Sequence, residues 1–282
     1  MENQQNDTPS GSDSASDFRI LLVEDNDINR KVALGQLNRL GFRADTSTNG
    51  REAIEALAKV PYEIVLMDCQ MPEMDGYEAT REIRRREREG LELERAPVRI
   101  IAITAHAMKG DREKCLEAGM DDYLAKPIKT AGLKAVLDRW IPACRDRSKT
   151  PSAEGGNERS AQSDSTDTNE PPVDMERLRE MGVDDDELVR ELVDLYYEQA
   201  EGLLKQLEHA VQSGEADDVK QFSHKLCGAS ATCGMNAIVP FLRQLESMGD
   251  RGELDGAEKL CRMVSVRYTE IQEFLNSELK RS

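Results

Sequence analysis

Three short, continuous apolar runs constrain the fold of this chain more than any other feature of its sequence. They lie at residues 20–23, 64–67 and 100–103. Runs as short and uniformly apolar as these are typical of strands that are buried on both faces of a sheet. Weaker strand patterns occur at residues 43–47 and 122–124. The first half of the chain is therefore predicted to contain five strands.

Helical patterns separate these predicted strands. They cover residues 26–40, 49–59, 76–88, 109–118 and 130–140. Five strand–helix units in succession predict an α/β domain with a doubly wound, parallel five-stranded sheet that is covered by helices on both faces. In such a sheet the functional residues lie at the carboxyl ends of the strands.

The rest of the chain is polar at first and then helical. Residues 143–173 are rich in small polar residues and are predicted to be a flexible linker, and residues 1–16 are predicted to be a disordered N-terminal tail. Four amphipathic patterns follow, at residues 186–211, 215–231, 236–247 and 254–275. They predict an all-α four-helix bundle. We therefore expect two folded domains, at residues 17–142 and 174–282.

The composition of the chain limits which kinds of molecule it is expected to bind. The net charge of −17 argues against nucleic acid, because phosphate backbones recruit basic surfaces. No apolar run approaches the length of about 18 residues that a membrane span requires, so no membrane partner is expected. The polar start of the chain lacks the pattern of a signal peptide, and the six cysteines show no metal-ligand spacing. Free thiols and a cytoplasmic location are the expectation.

Polar residues follow four of the predicted strands. Glu24 and Asp25 end the first strand, Asp68 ends the third, Thr104 ends the fourth and Lys126 follows the fifth. Three carboxylates that meet at one sheet edge repel one another, and a hard cation such as Mg²⁺ relieves that repulsion. Such a cation also neutralises phosphoryl oxygens during transfer, and a carboxylate can act as the nucleophile that accepts the group. The pattern therefore predicts phosphoryl transfer to Asp68.

Three long motifs in this region carry a family resemblance. They are LLVEDNDINR at residues 21–30, IVLMDCQMPEMDGYEATREIR at residues 64–84 and AITAHAMKGDREKCLEAGMDDYLAKPI at residues 102–128. The chain from residue 18 to residue 142 resembles the receiver domain of two-component response regulators, in particular receivers attached to hybrid histidine kinases. The resemblance implies a flavodoxin-like fold.

The resemblance also implies roles for residues at the site. It implies that Asp68 accepts a phosphoryl group. Glu24 and Asp25 would hold Mg²⁺, with Asp25 favoured as the direct ligand, and the backbone carbonyl of Gln70 would complete the metal site. Lys126 would contact the phosphoryl group.

Two further features follow from the same resemblance. Thr104 and Tyr123 resemble the pair of residues that switch conformation on phosphorylation. The bond between Lys126 and Pro127 is cis in the family.

One histidine stands out in the second half of the chain. His224 lies about 200° around its predicted helix from Phe222 and Leu226, which mark the core face, so the helix alone predicts that His224 points to solvent. Gly228 follows one turn later, although a mid-helix glycine costs about 1 kcal/mol relative to alanine. A bare backbone beside the imidazole would give a bulky partner access to it.

The stretch HKLCGASATCG at residues 224–234 resembles the signature of histidine-containing phosphotransfer (HPt) domains. The shared features are the histidine, a glycine four residues on and a glycine ten residues on. The resemblance implies that His224 is a second phosphoacceptor, with Gly228 and Gly234 keeping it accessible. The chain departs from the family at Cys227, where a lysine is usual. Lys225 starts about 100° around the helix from His224 and is a possible substitute.

Together the two resemblances predict a phosphorelay protein that is not itself an ATP-dependent enzyme. A sensor histidine kinase would load Asp68, and His224 would exchange the group in cis or in trans and pass it to a downstream response regulator. Two alternatives stay open: a C-terminal fragment of a hybrid sensor histidine kinase, and a phosphorylation-gated scaffold with an inactive HPt domain. An aspartyl-nucleophile phosphatase is disfavoured, because Gln70 occupies the place of that class's second aspartate.

Overall fold

The structure is a computed structural model that describes residues 18–90, 97–104, 109–145, 171–182 and 186–279. The predicted N-terminal tail and most of the predicted linker lie outside these residues. The described residues up to 145 form an α/β unit, which we call the receiver unit. Those from 171 onward form a helical unit. No helix among the described residues has an apolar stretch long enough to cross a bilayer.

The receiver unit is built on a parallel sheet. Its strands are β1 (Ile20–Val23), β2 (Ala44–Ser47), β3 (Ile64–Asp68), β4 (Arg99–Thr104) and β5 (Asp122–Ala125). They lie in the order β2-β1-β3-β4-β5, and every neighbouring pair is parallel. This arrangement confirms the predicted fold class. The strand order reverses between β1 and β3, and ligands of such sheets bind at this point, beyond the carboxyl ends of the strands.

Five helices cover the sheet. They are α1 (Asp27–Arg39), α2 (Gly50–Lys59), α3 (Gly76–Glu89), α4 (Lys109–Ala118) and α5 (Thr130–Arg145). One apolar cluster fills each face of the sheet, with Leu21 and Val65 on one side and Leu22 and Leu66 on the other. The β3 run therefore alternates between two cores, which explains why it is apolar throughout. Helix α5 continues three residues beyond the predicted domain end.

The starts of two helices are fixed at the functional edge of the sheet. The side chain of Asn26 accepts hydrogen bonds from the backbone N–H groups of Ile28, at 3.0 Å, and Asn29, at 3.2 Å, and so caps α1. Asp75 caps α3 by accepting from the N–H of Glu78 at 2.7 Å. The cap of α1 comes directly after the two acidic residues that follow β1, so the local sequence holds those residues at the sheet edge.

Gly76 packs directly against the end of β3. A Cβ atom at this position would lie 2.1 Å from the carbonyl oxygen of Asp68. Only glycine allows the start of α3 to approach the strand this closely. The backbone that carries Asp68 is thus held between β4 and the first turn of α3.

The helical unit contains four long helices and one short one. They are α6 (Met175–Gly182), α7 (Asp186–Ser213), α8 (Ala216–Thr232), α9 (Val239–Arg251) and α10 (Ala257–Glu278). The four predicted helices are present, and a 3₁₀ turn (Asn236–Ile238) precedes α9. The short helix α6 was not predicted. Its Leu178 is fully buried in the core of the unit, but a helix of only two turns is too short to give a clear helical periodicity in the sequence.

The two units pack together through α1 and α8. Ile28 of α1 is fully buried and belongs to the apolar core of the helical unit. Around it, the Thr232 hydroxyl donates to Asn29 Oδ1 at 2.7 Å, and Asn26 Nδ2 donates to the carbonyl oxygen of Lys225 at 3.3 Å. The sequence did not indicate this contact. It places α8 over the carboxyl edge of the receiver sheet.

We expect Gly76→Ala to destabilise the receiver unit by more than about 2 kcal/mol, because the added methyl group overlaps the Asp68 carbonyl. Gly35→Ala is the matched control, since Gly35 is an exposed glycine of α1 whose added Cβ would have no neighbour within 4 Å. It should stabilise the protein by roughly 0.5–1 kcal/mol. Scanning calorimetry of both variants tests this, and equal unfolding temperatures for the two would contradict it.

Candidate functional site

The predicted acidic cluster is assembled at the sheet edge. Carboxylate oxygens of Glu24, Asp25 and Asp68 all lie within 4.8 Å of one another. Lys126 Nζ lies 2.7 Å from Asp68 Oδ2 and 2.9 Å from Glu24 Oε2. Glu24 and Asp68 are 1% and 2% exposed, so these charges are held away from bulk water. The topology thus brings together four residues from three segments that are far apart in the sequence.

The cluster has strong internal electrostatics. Burial, reinforced by the negative charge of Asp68, raises the pKa of Glu24 to about 7. Burial would lower the pKa of Lys126, but the charges of Asp68 and Glu24 outweigh it and hold that pKa above its ordinary value. Lys126 therefore remains a cation at neutral pH. One ammonium group faces three carboxyl groups here, so the edge favours further positive charge.

These residues fit a divalent cation. The side chain of Asp25 is 8% exposed, and its Oδ2 atom is buried without a hydrogen-bond donor among the described residues. Lys225 Nζ of α8 lies 2.9 Å from this atom, which makes an ion pair by distance although the direction is not that of a hydrogen bond. A buried carboxylate oxygen without a donor, beside two other carboxylates, is the all-oxygen environment that hard cations prefer.

The remaining predicted receiver residues lie around Asp68. The backbone N–H of Gln70 donates to Asp68 Oδ1 at 3.2 Å. Thr104 is buried at the end of β4, and its carbonyl oxygen accepts from the N–H of Lys126 at 2.7 Å. The Lys126–Pro127 bond is cis. Tyr123 lies on β5, paired with Ala102, and its partly buried ring packs against the core that α2 and α3 cover. The roles assigned to these residues stay predictions.

The prediction that His224 points to solvent is wrong, because the side chain is largely covered. Its side chain is 15% exposed, and its Nδ1 atom lies 2.8 Å from Glu246 Oε1 on α9. The helix face that carries it does turn away from Leu226 and the helical core, but the receiver unit covers that face. The periodicity of one helix shows which side faces its own core, not what packs on the other side.

The histidine shares two cavities with the receiver unit. One is lined by His224 together with Asp25 and Gln70. The other is lined by His224 together with Lys126 and Gly228. The two predicted phosphoacceptor regions, which are more than 150 residues apart in the sequence, therefore face one another across the interface.

Gly228 and Gly234, the two glycines of the HPt-like motif, have different structural roles. A Cβ atom at Gly228 would lie 3.3 Å from Asn29 Nδ2, so the bare backbone allows α1 to approach α8 closely. Gly234 follows the end of α8, about 15 Å along the helix from the histidine. Its φ is 75°, and a Cβ there would lie 2.8 Å from the carbonyl oxygen of Asp174. Gly234 therefore forms the turn that precedes α9.

The sequence analysis missed two residues that support the site. Glu246 binds the imidazole, and Asn29 Nδ2 donates to Glu24 Oε1 at 2.9 Å. Neither had a signal in the sequence, because each partner comes from a different element. Lys225, considered as a substitute for the usual lysine, extends toward Asp25. Burial, aided by Glu246, raises the pKa of the Cys227 thiol to about 12, so this side chain is neutral at pH 7.

We expect Lys225→Ala to raise the affinity of the full-length chain for Mn²⁺, a probe for Mg²⁺, by about fivefold, because it removes an ammonium group that pairs with Asp25. Lys220→Ala is the matched control: Lys220 lies on the same helix but pairs with Asp250. Loss of the free Mn²⁺ signal in electron paramagnetic resonance titrations gives both affinities. An unchanged or weaker affinity in Lys225→Ala would show that lysine and metal do not compete.

Comparison with known proteins places both units in families. The family of response regulator receiver domains matches residues 20–138, and the Hpt domain family matches residues 191–280. The chain is 47% identical over 121 residues to hybrid signal transduction histidine kinase B of Dictyostelium discoideum, a match that covers 41% of this chain and 6% of that protein. It is 39% identical over 130 residues to sensor histidine kinase RcsC of Salmonella typhi, covering 46% of this chain and 13% of the relative.

A solved receiver domain is also similar. It belongs to a sensor histidine kinase of Pseudomonas aeruginosa and has a magnesium ion coordinated in its active site cleft. The sequences are 47% identical, the match covers 44% of this chain and 98% of that one, and the TM-score is 0.40. The chain spans only a small fraction of the length of its curated relatives. Its two units are nevertheless each matched by a family: residues 20–138 are a response regulator receiver domain, and residues 191–280 are an Hpt domain.

Proposed function

We propose that this chain is a phosphorelay protein of a two-component system. Asp68 accepts a phosphoryl group from a sensor histidine kinase and exchanges it with His224, which passes it to a downstream response regulator. One observation carries the proposal: α8 packs over the carboxyl edge of the receiver sheet, so that His224 lines a cavity with Asp25 and Gln70. A surface that only held two domains together would not need to face the acidic edge with a histidine.

The first step loads Asp68. Its Oδ1 atom accepts from the Gln70 N–H and its Oδ2 atom from Lys126, so the carboxylate is held in one orientation. A carboxylate oxygen attacks the phosphorus atom of the donor, and the donor leaves with the bonding electron pair. Lys126 stabilises the negative charge on the phosphoryl oxygens. A Mg²⁺ ion held by Glu24, Asp25 and Asp68 would neutralise further charge on these oxygens.

The second step moves the group to His224. The Nδ1–H group donates to Glu246, which leaves the lone pair on Nε2 as the nucleophile. Nε2 attacks phosphorus, the bond between phosphorus and the Asp68 oxygen breaks, and the carboxylate leaves with the electron pair. The proton stays on Nδ1. The ring then carries a positive charge, which the Glu246 carboxylate stabilises. The same atoms run the step in reverse.

Other assignments belong to the same proposal. The Gln70 carbonyl would complete the Mg²⁺ site, and Thr104 and Tyr123 would respond to phosphorylation as a pair. Residues 17–142 and 174–282 would be the two domains, joined by residues 143–173. All six cysteines are free in the structure, which supports a reducing compartment such as the cytoplasm.

The curated relatives support a second candidate. Both relatives described above are histidine kinases, and the matched part is a small fraction of each. The same relay module could thus be the C-terminal part of a hybrid sensor kinase. The coding sequence upstream of this chain decides between the two: an ATP-binding kinase domain in the same reading frame would establish the second candidate.

We expect Asp68→Asn and His224→Gln to separate the two steps. With acetyl phosphate and Mg²⁺, the wild-type chain should form both an acyl phosphate, labile in acid and base, and a base-stable phosphohistidine. His224→Gln should form only the acyl phosphate, and Asp68→Asn should form neither. Phosphate stability assays and mass spectrometry distinguish these products. Equal labelling of Asp68→Asn would remove Asp68 from the relay, and acyl phosphate alone in the wild type would point to a scaffold with an inactive HPt domain.

Transfer should occur within one chain, because the two units are packed together. After a pulse of donor, the wild-type rate of conversion from acyl phosphate to phosphohistidine should not change on dilution. A mixture of His224→Gln and Asp68→Asn chains can transfer only between molecules. At about 1 μM it should be slower by about 10³, since a tethered partner has a local concentration of order millimolar. A wild-type rate that falls in proportion to dilution would show transfer between chains.

A further inference from the structure

A phosphoryl group on His224 would be repelled by a neighbouring negative charge. The group carries negative charge, and the ring that accepts it is bonded to the Glu246 carboxylate. In the usual place for a cation on this helix the chain has Cys227, whose buried thiol is neutral. Lys225 is engaged at Asp25. A cation from outside α8 is therefore needed on the HPt side of the transfer.

Arg243 is placed to supply this cation. It lies on α9, one turn before Glu246, and is partly buried. It lines the cavity that contains His224 and Lys126, and it also lines the neighbouring cleft that contains Gln70 and Thr104. Arg243 thus lines a cavity with His224 and with Lys126, the lysine that pairs with Asp68.

Within the part of the chain that the structure describes, no carboxylate pairs with Arg243, and its guanidinium lies beside the Cys227 thiol. Three neighbouring lysines at the interface are paired with carboxylates: Lys126 with Glu24 and Asp68, Lys220 with Asp250, and Lys225 with Asp25. The chain has 55 acidic and 38 basic residues, so a shortage of carboxylates does not explain why none pairs with Arg243 among the described residues. A guanidinium without a carboxylate, held at an anion-transfer site, has its donors available for an anion.

We propose that Arg243 is a catalytic residue of the HPt domain that contacts the phosphoryl oxygens as the group moves between Asp68 and His224 Nε2. The inference rests on the proposed function. Arg243 stays protonated throughout and forms no covalent bond; it binds two phosphoryl oxygens while the Asp68 oxygen–phosphorus bond breaks and the Nε2–phosphorus bond forms. The small thiol of Cys227 leaves room beside the imidazole. Arg243 of α9 can therefore take the place of the lysine that the family usually has on α8.

The test measures conversion of acyl phosphate to phosphohistidine in the full-length chain, by rapid quench after a pulse of acetyl phosphate. This rate does not include the loading of Asp68. We expect Arg243→Ala to slow conversion at least about tenfold. Arg243→Lys should recover part of the rate, and so should Cys227→Lys in the Arg243→Ala background. Arg251→Ala is the matched control, because Arg251 is an exposed arginine of the same helix that contacts Ser247; it should convert at the wild-type rate.

The outcomes distinguish this inference from the proposed function. If Arg243→Ala converts at the wild-type rate while His224→Gln forms no phosphohistidine, the role of Arg243 is overturned and the relay stands. If His224→Gln still forms phosphohistidine, the relay itself fails. A slow Arg243→Ala that neither lysine variant restores would show that Arg243 acts through packing, which also overturns the proposal. An equal loss in Arg251→Ala would assign the effect to overall charge, with the same consequence.

Discussion

The ammonium group of Lys126, held between Glu24 and Asp68, is the interaction on which the rest of the site depends. Lys126 follows β5 and joins the ends of β1 and β3, which would otherwise bring buried carboxylates together without a counter-charge. Removing one partner of a buried ion pair is strongly destabilising, because the other charge is left uncompensated. The remaining negative charge at this edge explains why a second ammonium, that of Lys225, comes to it from the other domain.

Helix α1 connects this charge cluster to the domain interface. Its cap, Asn26, fixes the helix start immediately after Glu24 and Asp25, and the next residues of the helix face the HPt domain. Ile28 contributes apolar burial to the core of that domain, while Asn29 hydrogen-bonds Thr232. Lys225, Gly228 and Thr232 of α8 lie against Asn26 and Asn29 of α1. The position of His224, which neighbours Lys225 on α8, therefore follows from that of α1. One short segment therefore sets both the geometry of the acidic edge and the direction from which the second acceptor approaches it.

The fold and the acidic cluster could be predicted from the sequence, because both are encoded locally. The apolar runs identify strands by themselves, and residues at strand ends converge whenever the sheet is parallel. The environment of His224 could not be predicted, because it depends on how two domains pack. A single-helix argument identified correctly that His224 turns away from Leu226, but gave no information on Glu246, Arg243 or the receiver surface. Lys225 shows the same limit: its position on the helix was known, whereas its partner lies 200 residues earlier.

Asn29 joins the metal-binding edge to the HPt domain by two hydrogen bonds. Its Nδ2 atom donates to Glu24 at 2.9 Å, and its Oδ1 atom accepts from Thr232 at 2.7 Å. The oxygen and nitrogen of the Asn29 side-chain amide belong to one rigid plane. A rotation that improves one of the two hydrogen bonds therefore changes the geometry of the other. Whatever changes the engagement of Glu24 thereby changes the free energy of domain association, and thermodynamic linkage requires the reverse effect to be equal in size. Separation of the HPt domain would therefore alter the hydrogen bonding of Glu24 through a single residue, Asn29.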